Sequence, residues 1–116
     1  MIAGAPGVDV TSKTLERPLV LGGSGLVGGA FYRALSGRGH AVRGTFHTRP
    51  AVGLEPLDLA GDTAAYLAGV RPSLVILASA LTHVVYCETH PEETRARNVD
   101  ALEPIVVWCA ERDVPL

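Results

Sequence analysis

Apolar and polar positions along this chain change period several times, and the changes mark out alternating strands and helices. Leu19, Val20 and Leu21 form an unbroken apolar run that stops at two glycines, the pattern of a buried parallel strand. Leu26, Val27, Ala30, Phe31, Ala34 and Leu35 then recur at spacings of three and four, one face of a helix that Gly37 and Gly39 close. Residues 41–46 read as a second strand. Residues 47–56, with two prolines and a glycine, read as a loop, and Leu57, Asp58 and Leu59 as a brief third strand. Residues 62–70 suit a short helix with Asp62 near its start, broken at Arg71, Pro72 and Ser73. Residues 74–78 are the clearest strand, apolar throughout as expected when both faces are covered. A long helix is predicted over residues 91–112. Pro91 sits in its first turn and Glu92 and Glu93 face the positive end of its dipole. Pro104 would kink it, at roughly 3 kcal/mol if the helix is continuous. Val114, Pro115 and Leu116 read as the approach to another strand. Residues 1–17 show no sustained period and read as a flexible leader, with the folded domain over 18–116. The order strand, helix, strand, strand, helix, strand, helix means an α/β layer structure with right-handed crossovers.

At 116 residues the chain has room for one domain with a real core. Apolar residues make up 47% and charged residues 19%, the balance of a globular chain. A formal net charge of −2 gives no global pull toward nucleic acid or an anionic membrane, so any anion site must be local. No apolar run approaches the roughly 20 residues needed to span a bilayer, and no secretory signal is evident. Cys87 and Cys109 make neither a close metal-type pair nor a disulfide framework. Reduced thiols and a cytoplasmic location are the simplest reading.

The densest chemical signal is the turn at residues 22–28, Gly-Gly-Ser-Gly-Leu-Val-Gly. Between a strand and an amphipathic helix, such a turn reads as a dinucleotide cradle. Gly22 lets the chain turn sharply, Gly25 lets a pyrophosphate approach the backbone, and Gly28 lets helix and strand pack closely. First-turn N–H groups around Leu26, Val27 and Gly28 would then face the phosphates, and Ser24 could add a hydroxyl donor. The fold class expected is therefore a Rossmann-like, doubly wound parallel sheet, truncated after about four strands.

An NAD site usually carries an acid about 20 residues beyond the glycine turn. Here no acid lies between Glu16 and Glu55; Arg43, His47, Thr48 and Arg49 stand there instead. A guanidinium and a hydroxyl beside the adenosine ribose suit a 2′-phosphate. The reading is NADP in preference to NAD, with Arg49 first and Thr48 second, and Arg43 as a solvated strand residue. Asp58 could reach the adenine amino edge or simply serve a turn. His83, Cys87 and His90 are close in sequence but lack a fourth ligand, so no metal is expected. Cys109 reads as a core residue. Ser24 lacks the pattern of a hydrolase nucleophile elbow.

These motifs resemble the extended short-chain dehydrogenase/reductase superfamily, and within it the dTDP-4-dehydrorhamnose reductase group, which includes the regulatory β subunit of methionine adenosyltransferase. The resemblance covers residues 18–116. It rests on GGSGLVG at 22–28, GTFHTR at 44–49, the Asp58-Leu59 pair, and RPSLVILASALTHVVYCETHPEETRARNVDA at 71–101. Asp58 and Leu59 are counted among the candidate cofactor-binding residues, and the resemblance implies that Ala78, Ser79 and Ala80 line the nicotinamide ribose and pyrophosphate side, that Thr82 stands near the substrate, and that Asn98 supports a proton relay. Where the family usually has Asn before its alanines, this chain has Leu77.

The family's chemistry also needs a Tyr with a Lys four residues later. The sole lysine is Lys13, and the residues four beyond Tyr32, Tyr66 and Tyr86 are Ser36, Val70 and His90. The chain as given is therefore expected to be inactive alone. It would be the NADP-binding portion of a longer keto-sugar reductase, a non-catalytic NADP-binding regulatory module, or a truncated product without function. An open strand edge at residues 74–78 would favour pairing of two copies.

Overall fold

The computed structural model describes residues 12–116; the first eleven residues of the expected leader lie outside it. Within residues 12–17, Thr14 and Arg17 bond to the turn at residues 71–73. Ser73 Oγ accepts from Arg17 N at 2.7 Å and donates to the Thr14 carbonyl at 2.7 Å, and Arg17 Nε donates to the Arg71 carbonyl at 2.8 Å. The turn before the first strand is thus tied to the turn before the last.

Strand β1 (Pro18–Leu21) is buried at every position. Helix α1 (Leu26–Gly37) follows, and ends where His40 N donates to the Leu35 carbonyl and Gly39 takes φ +81°. Strand β2 (Arg43–Phe46) leads to β3 (Glu55–Pro56), helix α2 (Thr63–Val70) and β4 (Leu74–Leu77). Asp62 caps α2 by accepting from Ala65 N at 3.0 Å, and Arg71 at φ 54° turns the chain out of it before Pro72. All strand pairs are parallel, in the order β3-β2-β1-β4. This is the α/β, doubly wound parallel arrangement that the alternation predicted. Right-handed crossovers place α1 and α2 on opposite faces, because the chain moves outward from β1 to β2 and returns across the sheet from β3 to β4. The order reverses between β1 and β4, and the crevice at the carboxyl ends of those strands is where such sheets bind ligands.

The core lies between the sheet and α2, with Leu19, Leu21, Leu67 and Val75 packed against Ile105, Trp108 and Cys109. The last three come from α5 (Glu103–Glu111). Val106 and Val107, between them, are half-exposed.

Four elements differ from the sequence reading. The third strand is Glu55–Pro56, not residues 57–59. Pro56 has no N–H to pair, which an edge strand tolerates, and Leu57 N donates to the Phe46 carbonyl at 2.9 Å to close the pairing. Arg43 is not merely solvated: its Nε and Nη2 grip the two Glu55 oxygens at 3.0 Å each across β2 and β3. The long helix over 91–112 is broken into α4 (Pro91–Asn98), a 3-10 turn (Asp100–Leu102) and α5. Pro104 sits in the first turn of α5, where its missing N–H costs no bond. A further helix, α3 (Val84–Thr89), lies between the expected strand and the expected long helix, where the local pattern assigns no element; it is capped by His83 Nδ1 accepting from Tyr86 N at 3.1 Å and closed by Tyr86 stacked on His90. The apolar stripe of α1 also does not face the sheet. Leu26 is 90% exposed and Phe31 47%, while Gly28 and Gly29 are buried, because the side without side chains is the one that can rest on the turn below.

Candidate functional site

The turn after β1 is built on the end of β2. Gly23 N donates to the Thr45 carbonyl at 2.7 Å, and Gly22 N to Thr45 Oγ1 at 3.4 Å. Gly22 has φ +87°, and a Cβ there would lie 2.8 Å from the Ala78 carbonyl oxygen. A Cβ on Gly28 would lie 2.0 Å from the Gly22 carbonyl oxygen. Both positions therefore require glycine for close approach of backbone to backbone. Gly25 is different. Its backbone is extended, and a Cβ would meet only the Gly22 carbonyl oxygen, at an ordinary 3.6 Å. The space in front of Gly25 is open. Gly25 is also the N-cap of α1, no side chain caps that helix, and no acid occupies its first turn. The first N–H groups are thus left for an external acceptor. On both counts the turn fits a diphosphate.

A cleft of about 210 Å³ opens at this point. Gly22, Ser24 and Gly25 form one wall, Thr48 and Arg49 a second, Leu59 a third, and Ala78, Ser79 and Ala80 the floor beyond β4. The structure brings these nine of the expected residues together. Leu26, Val27 and Gly28 adjoin the cleft through the helix start only, and the first two side chains point outward. Asp58 is not part of the lining. Its Oδ1 accepts from Ala60 N at 3.0 Å, a turn-forming bond, and its Oδ2 lies 3.7 Å from His47 Nε2. Thr82 is exposed, in the loop after β4.

Asn98 does not reach the cleft directly. Its Oδ1 accepts from Leu81 N at 2.8 Å and its Nδ2 donates to the Leu81 carbonyl at 2.9 Å. Both ends of one amide thus hold one residue of the loop that follows β4. Cys87 Sγ approaches the same carbonyl at 3.6 Å. The side chain positions the floor of the cleft, a role visible only once α4 and that loop are folded together.

Sequence reasoning missed His47, Ala60, Leu81, Arg97 and Ala101, which also line the cleft. His47 stood in the basic stretch beside Thr48 and Arg49, so its signal was present. Arg97 and Ala101 come from beyond β4, and nothing in their local pattern points to the turn at Gly22. His83 and His90 are committed to α3, and among the described residues no group of three metal-type ligands forms. No helix there is long and apolar enough to cross a membrane.

The strand order, the glycine turn at the reversal point and the cleft beside it define a Rossmann-type chain of the extended short-chain dehydrogenase/reductase class. Within that class the chain belongs to the family described as the RmlD substrate binding domain, matched over residues 16–116. It is 33% identical over 101 residues to a probable low-salt glycan biosynthesis reductase of Haloferax volcanii, covering 83% of this chain and 34% of that protein. Its fold is similar to that of a hypothetical dTDP-4-dehydrorhamnose reductase from Sulfolobus tokodaii, with a TM-score of 0.78 at 31% identity over 84% of this chain and 36% of that one. It is also similar to a short-chain dehydrogenase/reductase superfamily protein from Agrobacterium tumefaciens with bound NAD, with a TM-score of 0.69 at 25% identity over 84% of this chain and 30% of that one. The chain spans about a third of the length of these relatives.

Proposed function

We propose that this chain is the NADP(H)-binding portion of a reductase that acts on a nucleotide-linked keto-sugar. The observation that carries the reading is the cleft at the reversal of strand order, with an uncapped helix start on one wall and Arg49 and Thr48 on the other. In this reading the N–H groups at Gly25 to Gly28 hold the pyrophosphate, with Ser24 adding a hydroxyl donor. Arg49 and Thr48 hold the 2′-phosphate; Arg49 makes no ion pair within the described residues, so its guanidinium is available. Leu59 packs on the adenine side. Ala78, Ser79 and Ala80 border the ribose at the far end, and Asn98 keeps their loop in place through Leu81. Thr82, on that loop, stands toward the substrate.

Bound NADPH would supply the hydride. The proton must come from a tyrosine–lysine pair, and residues 1–116 do not contain one. The portion alone therefore binds cofactor without turning it over. We place it in the cytoplasm, where dinucleotide pools and reduced thiols coexist. Self-association, if two copies meet, would use the part of the outer β4 edge beyond Val75, since Val75 N already donates to the Pro115 carbonyl and is closed to another chain.

Calorimetric titration tests the reading. NADPH should bind more tightly than NADH, and Arg49→Ala should weaken NADPH much more than NADH. No heat at millimolar NADPH would overturn it, and equal losses for the two dinucleotides would remove the preference for the phosphorylated one.

A further inference from the structure

Arg97 enters the cleft from a helix that contributes nothing to the glycine turn. It lies in the last turn of α4, and its Nη1 lies 3.2 Å from His47 Nδ1, in the loop after β2 and 50 positions away in sequence. On its other side Nε donates to Glu93 Oε1 at 3.4 Å, one helical turn back. These contacts engage two of the five N–H donors of the guanidinium. A structural arginine in this same protein looks different: Arg43 makes two parallel bonds to one carboxylate. Arg97 has a long single bond to its carboxylate and an imidazole nitrogen as its other partner, and the residue lines the cleft.

The neighbours of Arg97 keep it in place without satisfying it. Glu93 also accepts from the Tyr86 hydroxyl, and that bond, with Arg97 beside it, holds its carboxyl below the usual carboxylate range. Glu93 thus remains an anionic anchor for the guanidinium. A donor as strong as Arg97 fixes His47 with Nδ1 accepting and the proton on Nε2, toward Asp58 Oδ2 at 3.7 Å. Asp58 is itself occupied by Ala60 N. The row Glu93, Arg97, His47, Asp58 therefore ties α4, the β2 loop and the loop before α2 across one end of the cleft. That end is set by His47, which is two residues from Arg49. It is the end where the adenosine ribose of a dinucleotide lies, since the ribose sits at the carboxyl end of the second strand.

We propose that Arg97 is a second binding residue for the adenosine-ribose phosphate, gripping it from α4 while Arg49 grips it from the β2 loop. The inference rests on the dinucleotide reading above and adds a determinant of specificity to it. On binding, Arg97 exchanges a neutral imidazole acceptor for a phosphate oxygen, and a bond with charge on both partners is roughly twice as strong as a neutral one. Two guanidiniums on separate elements also fix the phosphate between them, so the contribution of either depends on the other.

The test uses the whole chain and four forms of it: unaltered, Arg97→Gln, Arg49→Gln and the double variant. Each is titrated with NADPH, NADH and adenosine 2′,5′-bisphosphate, and each is melted to confirm an unchanged fold. Arg97→Gln should weaken NADPH and the bisphosphate by about tenfold or more, leave NADH within about twofold, and recover part of the loss as Arg97→Lys, which keeps the charge but not the fork. The double variant should show no preference for NADPH. If the unaltered chain prefers NADPH but Arg97→Gln changes nothing, or weakens both dinucleotides alike, the inference fails and the dinucleotide reading stands. If the unaltered chain binds neither dinucleotide, both fail.

Discussion

Two glycines of the same turn should respond in opposite ways to the same added methyl group. At Gly28 a Cβ would fall 2.0 Å from the Gly22 carbonyl oxygen and 2.8 Å from its carbon. Relief demands a backbone shift of more than an ångström. Gly22 has little room to yield, since its φ is +87° and the turn is tied to Thr45 through Gly22 N and Gly23 N. Gly28→Ala should therefore cost about 3 kcal/mol, the upper part of the range for overpacking. For a chain of 116 residues the unfolding entropy converts this to a fall in Tm of about 12 °C. At Gly25 the same methyl group meets nothing closer than 3.6 Å on an extended backbone. Gly25→Ala should cost less than about 1 kcal/mol, the difference between glycine and alanine at an N-cap. It should nevertheless weaken NADPH about tenfold or more, or about 1.4 kcal/mol, because the methyl group stands where the pyrophosphate must approach. Thermal melts by circular dichroism and calorimetric titration read the two effects separately. A Gly28→Ala chain melting within 2 °C or so of the unaltered one would refute the packing argument. A Gly25→Ala chain binding NADPH undiminished would refute the placement of the diphosphate.

Three other outcomes follow from contacts outside the turn. Asn98→Ala removes two hydrogen bonds to Leu81 and should lower stability by about 1–3 kcal/mol in urea; Asn98→Asp should cost more at neutral pH, where a carboxylate oxygen would oppose the Leu81 carbonyl, and regain part of the loss in acid as the protonated carboxyl becomes a donor. Equal stability of the two variants at every pH would count against the bidentate clamp. Tyr66 donates to Glu55 at 2.6 Å, and burial together with that bond pushes its hydroxyl well above the ordinary tyrosine value. The stabilisation is complete below about pH 10 and is lost as pH rises through the folded value, so Tyr66→Phe should cost about 1 kcal/mol at neutral pH, after allowance for a partly exposed partner, and should remove a late phase from the ultraviolet titration. Cys109 is 2% exposed and its burial raises its thiol pKa, so iodoacetamide should label Cys87 first, and mass spectrometry of the peptides would show a reversed order if α5 does not pack as described.

The parts of the fold legible in the sequence are those specified by local contacts. β1, α1, α2 and β4 each announce themselves by an apolar period closed by glycine, proline or a capping aspartate, and each forms within two or three residues of its expected bounds. The glycine turn is legible because its requirements are backbone requirements, and few residues other than glycine meet them. β3 was harder. Two residues long and containing a proline, it exists because Thr45 and Phe46 offer it a partner, and Arg43 secures the pair from the other side. The local pattern places the run Leu57-Asp58-Leu59 ahead of it.

The segment after β4 shows why part of the cleft stayed hidden. Reading residues 91–112 as one helix carries a single rotational phase from Pro91 through Arg112 at 3.6 residues per turn. The break at Val99, where the backbone leaves the helical region at φ −126° and ψ −65°, resets that phase. Which residues of α4 face the cleft cannot then be extrapolated from the buried Ile105, Trp108 and Cys109 of α5. Pro104 carried the signal of the break, since proline is favoured in a first turn and disfavoured in an interior, yet an isolated proline does not say which of the two it occupies. The tie that decides the matter runs from Asn98 to Leu81, joining α4 to the loop after β4. It holds α4 against that loop, and the next residue back, Arg97, borders the cleft. The asparagine and the arginine are consecutive on the same last turn of α4. A reading of Asn98 as support for a proton relay leaves out that tie, and without the tie Arg97, the neighbouring cation that lines the cleft, stays out of view.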